Sequence, residues 1–130
     1  MVDSVVHFEI VGPDAAALRA FYTELFGWSY DIDSPVAAEV SDAGNYGFIE
    51  PQPSAGAVAG GVGGGRGRDA YAIFYVGVGD VEAALSHAER LGGTRVMGPA
   101  ANPNGMLVVG QFRDPAGNLV GVAGPGDSPQ

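Results

Sequence analysis

Residues 5–27 read VVHFEIVGPDAAALRAFYTELFG, and residues 71–93 read YAIFYVGVGDVEAALSHAERLGG. Each stretch opens on an apolar run with β-branched bias and period-two alternation, the pattern of a strand. Each then changes to a helical period. In the first, Leu18, Phe21, Tyr22 and Leu25 form the apolar stripe; in the second, Val81, Ala84, Leu85, Ala88 and Leu91 do. Asp14 and Asp80 stand where an N-cap accepts a backbone N–H, and Gly27 and Gly92-Gly93 stand where a left-handed residue ends a helix. A constant offset of about 66 residues superposes the stretches: Asp14 falls on Asp80, Leu18 on Ala84, Leu25 on Leu91, Gly27 on Gly93 and His7 on Ile73. The chain is therefore expected to say one strand-helix sentence twice.

Working outward, shorter strand candidates follow each helix. They are SYDI, AAEVS, YGFIE and GAVAGGV in the first half, and TRVMG, MLVVGQFR and NLVGVAG in the second. DAGN and DPAGN read as hairpin connectors, Gly117 supplying the positive φ that closes the latter. Each half is then a βαβββ module: about residues 4–60 and about 70–124 of a single domain over the whole chain, with a glycine-rich connector at about 60–69. The connector is not a phosphate loop, because its glycine spacing is wrong and a strand follows it, not a helix N-terminus. Two such modules, each with its helix on one face of the sheet, leave the opposite faces free to curl into a cup. The fold class is α+β.

The 130 residues include 15 acidic and 6 basic side chains, all six of them arginine, for a net charge of −9. That balance speaks against nucleic acid or an anionic membrane as a partner. Absence of cysteine removes disulfides, thiolate metal sites and a thiol nucleophile. MVDSVVHFEIV carries an acid where a signal peptide would be basic, which predicts a cytoplasmic protein, and no apolar run reaches the roughly 20 residues of a membrane span. Scattered serines without an elbow motif give no support to nucleophilic hydrolysis.

HFEI followed by D-x3-L-x2-FY-x3-FGW, then GDVEAAL and LGG, then FRDPAGNLVGV, in this order, resembles the vicinal oxygen chelate superfamily. Its members include glyoxalase I, extradiol dioxygenases, bleomycin-binding and fosfomycin-resistance proteins and methylmalonyl-CoA epimerase. The resemblance implies two tandem βαβββ modules, a U-shaped mixed sheet around a cavity, and a homodimer. Metal-dependent members take His, Glu or Gln ligands from the first and last strands of each module. Here the first strand of module one keeps His7, but that of module two has Ile73. The last strand of module two has Gly121 at the position of the acid, and that of module one has Gly60 as the approximate counterpart. One histidine does not hold a catalytic divalent ion against water, so the expectation is a cup without the usual metal and without another cofactor.

Glu9 shares the strand face of His7, about 6 to 7 Å away along the backbone, close enough for an acid–base pair in a semi-enclosed site. The plainer reading is a hydrogen-bonded polar pair at the floor of the cup. Tyr71, Ile73 and Tyr75 share one face of their strand by alternation, giving an aromatic wall suited to a planar or apolar ligand, with Phe74, Val76 and Val78 turned to the helix layer. Phe48, Glu50 and Gln111 are further candidates to face the cup. Trp28 is expected to pack under the first helix, Phe21 and Tyr22 to be core, and His87 to be a partly exposed helix residue. The reading is a protein that binds or sequesters a small organic molecule, as drug-resistance relatives do. The alternative is a glyoxalase-like lyase, isomerase or dioxygenase with His7 as metal ligand or general base, Glu9 as its partner and nickel, zinc, manganese or iron as the metal. A third reading is an interaction domain whose cup is filled by its own side chains.

Overall fold

The computed structural model describes residues 2–50 and 56–126. In chain order they form β1 (Val5–Gly12), α1 (Ala15–Phe26), β2 (Tyr30–Asp31), β3 (Gly47–Ile49), β4 (Ala59–Gly64), β5 (Tyr71–Gly77), α2 (Val81–Arg90), β6 (Thr94–Ala101), β7 (Leu107–Arg113) and β8 (Leu119–Pro125). Contacts group the chain into two units: one runs from His7 to Ala72, and the other joins the residues before His7 to those from Ile73 onward. Each carries one helix on a four-stranded mixed sheet, so the architecture is α+β and repeats βαβββ. No helix among the described residues is long and apolar enough to cross a membrane.

The first unit orders its strands β2-β3-β4-β1, with β4 parallel to β1 and antiparallel to β3. Asp14 caps α1 through its carboxylate, which accepts from the Ala17 N–H at 3.0 Å, and Gly27 ends the helix at φ 76°. The apolar stripe of α1 is less buried than its period suggests. Phe21, Leu25 and Phe26 are each 58% exposed, so the expectation of a core Phe21 is corrected. The rings that do pack lie at the helix end: Trp28 stacks on Tyr22 at 5.5 Å and contacts Phe26 at 5.1 Å and Phe8 at 5.6 Å, as expected of a residue beneath α1.

Two expectations fail between β2 and β4. AAEVS is a turn, not a strand: Val40 and Ser41 both donate to the Ala37 carbonyl, and Ala37, Val40 and Ser41 are the buried positions. That i, i+3, i+4 spacing is helical, and a five-residue window with two alanines did not reveal it. With no strand before it, DAGN is a turn within a loop, closed by the Asn45 N–H on the Asp42 carbonyl, and not a hairpin connector. The strand expected in GAVAGGV is β4, and it runs on through Gly63 and Gly64, which had been assigned to the connector. The physical reason for a strand of glycines is close approach: a Cβ at Gly60 would lie 2.3 Å from the Phe8 ring, and one at Gly61 2.2 Å from the Tyr46 ring. Glycine in a strand interior marks a neighbour seated directly on the backbone.

The second unit orders its strands β5-β8-β7-β6, with β5 parallel to β8 and β7 antiparallel to both neighbours. Asp80 caps α2 by accepting from the Ala83 N–H at 3.0 Å. Val81 and Leu85 of α2 form a core with Val122 of β8, joined by Val78, Ala84, Val108 and Phe112. Val78 thus faces the helix as expected, whereas Phe74 is 43% exposed and does not take part in that core. The Asp114 turn joins β7 to β8 with Gly117 at φ 97°, as its DPAGN sequence predicts.

Candidate functional site

Strand β1 presents His7 and Glu9 on one face, and the link between them runs through a third residue. The Tyr46 hydroxyl lies 3.0 Å from His7 Nε2 and donates to Glu9 Oε1 at 3.1 Å. Tyr71, at the start of β5, donates to the other oxygen, Oε2, at 2.9 Å. The result is a polar chain, His7–Tyr46–Glu9–Tyr71, in which Glu9 and Tyr46 are each 3% exposed and His7 is half-buried. Buried carboxylates persist where hydrogen-bond donors meet them, and two phenols do so here. Burial lowers the His7 pKa to about 4, so its imidazole is neutral at pH 7. Phe48 closes one side, its ring 4.9 Å from that of Tyr46 and 6.1 Å from that of His7.

Tyr46 is delivered by the loop after β2, and that loop is tied down. Ser41, buried, takes the Gly64 N–H at 2.9 Å and donates to the Gly64 carbonyl at 3.0 Å. Arg68 reaches Asp42 at 3.1 Å and the Ala38 carbonyl at 2.6 Å, and Arg19 of α1 donates to the Asn45 carbonyl. Across the sheet Glu9 pairs in register with Gly61, and Gly61 with Phe48. The missing Gly61 side chain is what admits the Tyr46 ring.

The second unit repeats this device with other residues. Tyr75 pairs in register with Gly121, and Gly121 with Gln111. Gln111 Nε2 donates to the Tyr75 hydroxyl at 3.0 Å, and both side chains are buried. A Cβ at Gly121 would lie 2.4 Å from the Tyr75 ring. Since the 66-residue offset carries Glu9 onto Tyr75, Gly61 is the counterpart of Gly121, one residue beyond the Gly60 assigned from sequence.

Of the candidates named from sequence, the first unit brings together His7, Glu9, Phe48 and Tyr71. Glu50 lies exposed at the end of β3, its backbone N–H on the Ser29 carbonyl. Ile73, Tyr75 and Gln111 belong to the second unit, all buried. Tyr46 was missed. Its signal was present in YGFIE, where period two through Phe48 and Glu50 places Tyr46 on the same face.

The profile of the glyoxalase/bleomycin resistance protein/dioxygenase superfamily matches residues 4–122. The chain belongs to this superfamily. Solved structures agree on the fold. A variant of the Streptomyces coelicolor methylmalonyl-CoA epimerase, in complex with 2-nitronate-propionyl-CoA, matches with a TM-score of 0.66 at 15% identity, covering 99% of this chain and 100% of that one. Methylmalonyl-CoA epimerase from Mycobacterium tuberculosis matches with a TM-score of 0.64 at 13% identity over 95% and 89%. A hypothetical protein from Bacillus halodurans C-125 gives 0.63 at 12% identity over 100% and 99%. No curated protein matches the sequence significantly.

The metal centre found in members of the superfamily does not fit the residues of this chain. Among the described residues no three His, Asp or Glu side chains come together as a ligand set. At Gly61 and Gly121 an acid would have to displace a tyrosine ring, and His7 Nε2 is already engaged by the Tyr46 hydroxyl.

Proposed function

We propose that this protein is a metal-independent member of the superfamily that binds a small organic molecule at the His7 face of its first module, as a binding or sequestering protein. The observation that carries this reading is the seat of Tyr46 on Gly61, with its hydroxyl between His7 and Glu9. The Tyr46 ring fills the space of the side chain that a metal-dependent relative would use as a ligand at this last-strand position. The partly exposed groups around it suit a planar ligand with one or two hydrogen-bonding groups: the rings of Phe48 and Tyr71 and a neutral imidazole. We read the protein as a homodimer, supported by the exposed Phe21, Leu25 and Phe26 on one helix.

The test has two parts. Elemental analysis of untagged protein, before and after incubation with nickel, zinc, manganese or ferrous iron and desalting, is expected to show far less than one metal per chain. A thermal-shift screen of planar organic ligands is then expected to give hits that Phe48→Ala weakens and EDTA leaves untouched. Stoichiometric metal that His7→Ala removes would overturn the proposal.

A second reading has a specific observation behind it. A neutral imidazole linked through one hydroxyl to a buried carboxylate is an acid–base pair of the kind that moves a proton beside a carbonyl. The fold neighbours that are methylmalonyl-CoA epimerases make an acyl-CoA isomerase the form of that reading to try. Solvent-deuterium incorporation into methylmalonyl-CoA, lost by orders of magnitude in His7→Ala, would select it.

A further inference from the structure

We propose that Tyr46 takes the place of a metal in this chain: seated on Gly61, its hydroxyl bridges His7 and Glu9 and holds the imidazole as the Nε2–H tautomer. The proposal rests on the metal-independent reading and names the residue that enforces it.

The positions of the protons set the tautomer. Both Glu9 oxygens accept, Oε1 from Tyr46 at 3.1 Å and Oε2 from Tyr71 at 2.9 Å. A phenol hydroxyl carries one proton, and that of Tyr46 is committed to Glu9. Its oxygen can then meet His7 Nε2, 3.0 Å away, only as an acceptor, so Nε2 carries a hydrogen. Metal binding needs the lone pair of a deprotonated ring nitrogen. At Nε2 that lone pair is replaced by an N–H bond, and the ring of Tyr46 covers Gly61, which pairs with Glu9 from the last strand. One side chain therefore takes both the Nε2 position offered by the first strand and the space above the last-strand glycine. The Arg19 and Ser41 contacts that anchor the loop hold this tyrosine in position.

The chain has two histidines, so the tautomer can be read directly. Long-range proton–nitrogen NMR spectra of imidazole-labelled protein at pH 7 would be recorded for wild type, Tyr46→Phe and Tyr71→Phe, with His87→Gln to assign signals. Each sample would be measured with and without one equivalent of zinc. In wild type, His7 is expected to be protonated at Nε2 and unmoved by zinc. Tyr46→Phe removes the acceptor and is expected to shift both ring nitrogens toward a mixture of tautomers. Tyr71→Phe removes a hydroxyl from Glu9 but keeps the His7 partner, and is expected to preserve the wild-type tautomer. His7 protonated at Nδ1 in wild type, or spectra identical in wild type and Tyr46→Phe, would sink the assignment to Tyr46. Zinc that shifts His7 in wild type would instead sink the metal-independent reading, whatever the zinc-free tautomer. Should Tyr46→Phe fail to fold, a wild-type His7 protonated at Nδ1 still overturns the assignment.

Discussion

A methyl group at Gly61 would have to occupy space held by the Tyr46 ring and hydroxyl, 2.2 Å from an ideal Cβ. Backbone entropy by itself favours alanine over glycine within a strand. Steric overlap outweighs that gain, so Gly61→Ala is expected to destabilise the protein by about 1 to 3 kcal/mol in urea unfolding. In a Tyr46→Ala background the same substitution should cost much less, a coupling that a double-mutant cycle measures. His7 supplies the second prediction at this scale. Its folded pKa is about 4 against 6.5 for the free side chain. The unfolded chain therefore takes up the proton first as pH falls. The stability from a neutral His7 is complete above pH 6.5 and is lost on the way down to pH 4, by on the order of 2 to 3 kcal/mol. Urea midpoints between pH 7 and 4 should show that slope, and His7→Asn should flatten it.

At the level of elements, the two helices are started by the same device and stabilised by different ones. Asp14→Ala and Asp80→Ala each remove a carboxylate from an N-terminal N–H, and each is expected to cost about 1 kcal/mol, measured by thermal or urea unfolding. Helix α2 has an added clamp: Arg95 of β6 meets Glu82 at 2.7 Å and Glu89 at 3.0 Å. Hydrogen bonds from Arg95 and Ser86 hold the Glu82 carboxyl down to about 2. Its contribution is present above the ordinary carboxylate range and is lost only as pH falls toward 2. The two glutamates are solvent-exposed and Arg95 is half-buried, so the effect of Arg95→Ala on the melting temperature should shrink in high salt. Among the described residues helix α1 has no such ion-pair clamp, and its apolar residues are largely outward. Leu25→Ser is expected to change monomer stability by less than about 0.5 kcal/mol, while sedimentation velocity reports whether that face joins two copies.

For the molecule as a whole, the expectation that follows from its donor set is indifference to chelation. A ligand bound only to the native state raises stability by mass action. The unfolding midpoint should therefore be the same in EDTA, in buffer and in micromolar zinc; a rise with zinc that His7→Ala cancels would contradict the site described above. Much of this architecture was legible in advance. Period two giving way to period 3.6, an aspartate cap and a terminal glycine, twice at one spacing, are local regularities, and the two βαβββ modules follow from them. The same local chemistry misjudged Ala37 to Ser41, Phe21 and the end of β4 at Gly63 and Gly64, because each depends on what packs there rather than on neighbours in sequence. His7, Glu9, Phe48 and Tyr71 could be named because strand alternation assigns a face. What joins them could not, since Tyr46 lies 37 residues from Glu9 and 39 from His7 along the chain. Sequence by itself determined the repeated module, the superfamily and the missing acids. Only tertiary structure decided that a tyrosine fills the place left by a glycine, because the space above a backbone belongs to whichever distant side chain the fold brings to it.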